Sequence, residues 1–106
     1  MGKYLLQVSY TTEGVKGVLK AGGTARQKAA ANLVESVGGS LDALYFAFGS
    51  TDVYCIAELP TPEAAAAAAL TVSGSGAATV VTTVLLTPEQ IDAASDLRTE
   101  YSPPGA

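Results

Sequence analysis

Apolar and polar positions alternate with period two at the start of the chain. Tyr4, Leu6, Val8 and Tyr10 share one face, and Leu5, Gln7 and Ser9 share the other, which predicts a strand over Lys3–Tyr10. Two further strands are predicted at Leu41–Phe48 and Val53–Leu59, joined by a tight turn, Gly49-Ser50-Thr51-Asp52. Both are apolar on both faces: Leu41, Ala43, Tyr45 and Ala47 point one way, and Leu44, Phe46 and Phe48 the other. Val53, Cys55, Ala57 and Leu59 alternate with Tyr54, Ile56 and Glu58. The last strand is the Val- and Thr-rich run Ala77–Leu86.

Between the strands the period lengthens to that of helices. Thr11-Thr12-Glu13-Gly14 opens a short helix with Val15, Val18 and Leu19 on its apolar side. Gly22-Gly23 follows, either kinking one helix or separating two. Thr24-Ala25-Arg26-Gln27 reads as a capping box. Ala29, Ala30, Leu33, Val34 and Val37 then recur at helical spacing down to the stop at Gly38-Gly39. Thr61-Pro62-Glu63 starts a helix that runs through the alanines of 64–69 to Leu70 and Val72, where small side chains let a helix lie close on a sheet. Thr87-Pro88-Glu89-Gln90 starts a final helix with Ile91, Ala94 and Leu97 as its stripe, and residues 99–106 form an extended tail.

This order predicts an α+β domain over residues 1–106: a ferredoxin-like βαββαβ unit with an extra C-terminal helix. Right-handed crossovers place both main helices on one face of a four-stranded antiparallel sheet and leave the other face bare. A sheet face open to water is normally polar, and this one is not. A second subunit is therefore expected to cover it.

Composition sharpens that expectation. The chain has 106 residues, 48% of them hydrophobic and only 15% charged, with a mean hydropathy of +0.29. A small monomer exposes much of its surface and should carry more charge. The net charge of −4 and six scattered Lys and Arg residues form no phosphate-tracking patch, so nucleic acid is not an expected partner. No apolar run approaches the roughly 20 residues of a membrane span, so a membrane partner is not expected either. The N-terminus runs straight into a strand pattern without a signal-peptide core, and a single cysteine fits a reducing compartment; the expectation is cytoplasmic. With no histidine and one cysteine, the commonest transition-metal sites are missing, and no cofactor or metal is expected.

The chain resembles the GYD domain family. The residues that carry the likeness are Tyr4-Leu5-Leu6-Gln7, Ser9-Tyr10-Thr11, Glu13-Gly14-Val15-Lys16-Gly17 and Gly22-Gly23-Thr24-Ala25-Arg26. Tyr45-Phe46-Ala47-Phe48-Gly49, Asp52, Thr82–Glu89 and the Tyr101–Gly105 tail continue it. The resemblance implies a dimeric α/β barrel, in which two sheets face each other across a two-fold axis, and implies no particular activity. In this family the hairpin turn reads Gly, any residue, Tyr, Asp; here Thr51 replaces the aromatic.

Candidate site residues follow from chemistry and placement. Arg26 lies near the start of a helix, where its guanidinium and free backbone N–H groups would hold a carboxylate or phosphate; otherwise it lies along the surface or pairs with Glu35 or Glu13. Tyr10, Tyr45 and Phe46 either wall a cavity between sheet and helices or pack as ordinary core. Asp52 is either a site carboxylate or a turn residue bonded to backbone N–H groups. Glu58, on the side of Tyr54, is either a proton-transfer group or an interface residue. Cys55 reads as inert packing, and Gln7 and Ser9 as interface residues. The expected function is a homo-oligomer, a dimer or larger, that binds a small anionic or aromatic ligand between helices and sheet. The alternatives are a cofactor-free monooxygenase or isomerase, using Tyr, Glu58 or Asp52 as proton shuttles, and a structural or regulatory assembly module.

Overall fold

The computed structural model describes residues 1–105; Ala106, the last residue of the expected tail, lies outside the described residues. The elements in chain order are β1 (Gly2–Tyr10), α1 (Thr12–Ala21), α2 (Gly23–Ser36), β2 (Ser40–Phe46), β3 (Val53–Leu59), α3 (Pro62–Gly74), β4 (Ala78–Leu85) and α4 (Pro88–Ser95). The sheet order is β2-β3-β1-β4, and every neighbouring pair is antiparallel. This is the ferredoxin-like arrangement with an added C-terminal helix.

The glycine pair separates two helices. Gly22 has φ +88°, ends α1 with its N–H on the Val18 carbonyl, and serves at once as the N-cap of α2. Because α2 is already helical at Gly23, Thr24 sits inside the first turn. The expected Thr24–Gln27 capping box is therefore not formed, and α2 starts without a side-chain cap. The other helix starts are as the sequence predicts. The hydroxyls of Thr11 and Thr61 accept from the Gly14 and Ala64 N–H groups, and Thr87 and Gln90 make a complete capping box.

Pairing of Tyr4, Leu6 and Val8 with Ala57, Cys55 and Val53 puts these residues on the helix-covered face. With Val34, Leu59 and Ala65 they make the core. The hairpin departs from expectation in two ways. A bulge between Leu41 and Ala43 shifts side-chain parity. Leu41 thereby joins Leu44 and Phe46 on the helix side, while Ala43 and Tyr45 face outward. The connection is also longer than a tight turn: β2 stops at Phe46, the Ala47 N–H reaches the Asp52 carbonyl across a wide loop, and Phe48 projects fully into solvent. On α1 the expected apolar side is turned outward in part. The helix approaches the body through Gly14, which leaves no room even for a methyl beside the Ala77 carbonyl, while Val15 and Leu19 stay exposed.

The second sheet face is open. Leu5, Gln7, Tyr45, Tyr54, Ile56 and Val81 share it, with Val81 62% exposed. At its edge Lys3 bridges Asp42 (2.6 Å) and Glu58 (3.1 Å). These bonds, Asp42 foremost, hold the Lys3 amine above its ordinary 10.5. The chain exposes 7120 Å2, against about 5,500 Å2 for a folded monomer of its mass. Its radius of gyration is 16.8 Å, where a compact chain of this length has about 13 Å. α4 has no buried residue and carries the C-terminal end away from the body. No helix among the described residues is long and apolar enough to cross a membrane.

Candidate functional site

Alanines shape the helix layer. α3 buries only Ala65 and Ala68, and α2 buries only Val34. Short side chains bring each helix down onto the sheet but cannot fill the space between them, and α2 and α3 scarcely touch. A cleft of about 230 Å3 opens there. Val8, Val53 and Cys55 form its floor; Ala30 and Leu33 of α2 and Val72 of α3 form its walls. A smaller apolar recess of about 60 Å3 shares several of these residues and adds Leu6, Leu41 and Ala68.

The polar groups in the lining are few. Arg26, in the first turns of α2, is the only charged side chain there among the described residues, and it makes no ion pair with Glu13 or Glu35. Tyr10 contributes from the end of β1, with its ring against Gly14. Thr71 and Ser75 also line the cleft, and sequence reasoning did not single them out. Their four-residue spacing near the end of a helix was the available signal. Both hydroxyls donate back to the α3 backbone, Thr71 to the Ala67 carbonyl (2.8 Å) and Ser75 to the Val72 carbonyl (2.6 Å).

Of the five residues nominated from sequence, Arg26 and Tyr10 come together in the cleft lining and three lie outside it. Tyr45 pairs with Tyr54 on the open face, 72% exposed, so the sheet itself separates it from the cleft. Phe46 is on the helix side but covers Gly23, at the start of α2. Asp52 accepts the Tyr10 backbone N–H at 2.7 Å, while its own N–H donates to the Val8 carbonyl at 2.9 Å. Its carboxylate thus serves the backbone of β1, where the sequence suggested a turn contact or a site role. Glu58 lies on the open face with Lys3. The two carboxylates named as proton shuttles are therefore not assembled around the cleft.

Cys55 is buried in the floor, and burial pushes its thiol up from 9.0 to about 11. At neutral pH it is a small apolar group and a poor nucleophile. No group of three or more His, Cys, Asp or Glu residues is placed to hold a metal among the described residues. Thr51, where the family resemblance leads one to expect an aromatic, lies over β1 with its hydroxyl 3.4 Å from the Gln7 side-chain oxygen, and Ser9 donates to the Ser50 carbonyl at 2.8 Å. The hairpin loop is thus tied to the sheet by hydroxyl contacts.

The sequence model of the GYD domain matches residues 4–95, from the first strand to the end of α4. Comparison with curated proteins and with solved structures returns no match.

Proposed function

This chain belongs to the GYD domain family, and from that premise we propose that it binds a small molecule with an apolar body and an anionic head in the cleft between α2 and α3. The single observation that carries the reading is Arg26, exposed and without an ion pair among the described residues, as the one charged residue lining a mainly apolar cleft. Alanine and valine walls suit a hydrocarbon or a flat ring, and the guanidinium suits a carboxylate held through two parallel hydrogen bonds. The volume admits roughly eight non-hydrogen atoms, at ~30 Å3 each. Benzoate and short-chain fatty carboxylates are of that size.

The same reading makes the chain a homo-oligomer through its open sheet face. Leu5, Ile56, Tyr54 and Val81 form an apolar platform there, and the excess of exposed area over a compact monomer is about 1,600 Å2. A standard interface takes about 800 Å2 from each partner.

Calorimetry with benzoate and octanoate, each beside its neutral amide, tests the ligand reading. The carboxylates bind more tightly than the amides, and Arg26→Ala removes that difference. Equal affinities for acid and amide, or an unaltered Arg26→Ala, would sink it.

A further inference from the structure

We propose that α4 is an arm that packs on α1 of a second copy of this chain, while the second copy's α4 packs on the first. The inference rests on the self-association argued above and names where the two copies grip each other.

α4 is well specified yet unsupported. It has a complete capping box and Pro88 in its first turn, but no buried residue. Isolated helices shorter than about 12–15 residues are marginal in water, and this one has eight. Ile91, its one large apolar residue, is 53% exposed, and Leu97, expected from the sequence to continue the stripe, lies two residues past the helix end and is 71% exposed. An element with that specification needs a surface from elsewhere.

α1 presents the complementary surface. Val15 and Leu19, one turn apart, are exposed, and Leu19 is 81% so. Lys16, which pairs with Glu13 at 3.5 Å, and Lys20 have the same four-residue spacing as Asp92 of α4 and its C-cap Asp96. Within the chain the two helices make no substantial contact. α1 is fixed to the start of β4 by the Thr11 N–H on the Ala77 carbonyl, and α4 leaves from its end. The eight residues of β4 put about 26 Å, at ~3.3 Å per residue, between the start of α1 and the start of α4. A two-fold axis crossing the strands reverses β4 in the second copy and brings the two ends together. The area excess of about 1,600 Å2 is twice what one standard patch takes, which leaves room for both the sheet face and the arm. The acidic arm with its exposed Ile91 and Leu97, set against the Lys20 end of α1 with its exposed Val15 and Leu19, selects a second copy as the occupant.

A charge-swap series on the full-length chain tests this, because every altered residue is exposed. Sedimentation equilibrium over a range of concentrations gives the association constant of Lys16→Glu/Lys20→Glu, of Asp92→Lys/Asp96→Lys, and of the two combined. Each reversal alone weakens association tenfold or more, and the combination restores it. Hydrogen exchange at residues 88–95 slows as wild-type concentration rises. Unchanged association in both reversals, or α4 protection that is the same at every dilution, overturns the arm. If Val81→Glu still dissociates such a protein, the sheet-face reading survives that failure. A wild-type chain that sediments as a monomer throughout overturns both.

Discussion

The Asp52 carboxylate accepts the backbone N–H of Tyr10 at 2.7 Å, tying the end of the hairpin loop to the last residue of β1. The contact continues the ladder beyond the final Val8–Val53 pair, since the Asp52 N–H donates to the Val8 carbonyl. It also fixes the backbone from which the Tyr10 ring reaches the cleft.

Asp52→Ala leaves that part-buried N–H without its partner. A cost of about 1–3 kcal/mol is expected, read as a lower urea midpoint with an unchanged slope. Asp52→Asn keeps an acceptor and loses less. If the two variants are equally stable, the carboxylate is not holding β1 in this way.

Glycine substitutions separate packing from flexibility. A Cβ at Gly14 would collide with the Ala77 carbonyl oxygen, and one at Gly39 with the Glu58 carbonyl oxygen. Gly14→Ala and Gly39→Ala must move backbone, so both melt well below wild type, with losses of ~2 kcal/mol or more. Gly17 is helical and meets nothing within 4 Å; Gly17→Ala stabilises by about 0.5–1 kcal/mol. Thermal melts of the three decide the matter, and a Gly14→Ala as stable as Gly17→Ala would refute the close approach.

The buried thiol sets an alkaline limit. Folded Cys55 holds its proton to about 11, whereas the unfolded chain releases it near 9.0. The unfolded state therefore binds fewer protons between those values, and stability falls as pH rises through that window. Cys55→Ala flattens this part of the stability profile. Alkylation of the native thiol at pH 8 is slow and accelerates in denaturant; labelling at the rate of a free thiol would contradict its burial.

Filling the cleft opposes stability to occupancy. Ala30 lines both the cleft and the recess beneath it, so Ala30→Leu places apolar bulk in empty space. The expected result is a higher melting temperature by a few degrees with loss of carboxylate binding. A destabilised variant that still binds normally would show that the space is not where the ligand goes.

The fold was legible because its signals are local and repeated. Alternation in β1 and β3, caps at Thr11, Thr61 and Thr87, and the glycine stop after α2 each specify an element on their own. Two errors came from features without a local signature. The bulge at Asp42 shifts parity by one residue, which nothing in a Leu-Asp-Ala run announces, and so Leu41 was assigned to the wrong face. The Gly22 conformation starts α2 two residues before the Thr24 cap pattern would. The candidate cleft was legible only in part. Arg26 and Tyr10 belong to elements whose faces could be read, whereas Thr71 and Ser75 join them through the spacing of two helices. Tyr45 was set apart by the sheet between it and the helices.

The alanine run of α3 has a thermodynamic corollary. A methyl group yields little transfer free energy, so this helix is fastened to the sheet by far less apolar contact than a leucine-faced helix would be. A guest lodged beside it would take the place of the bulky side chains that α3 lacks. Loading would then tighten the whole helical layer, and the empty protein would breathe most at the seam between α2 and α3.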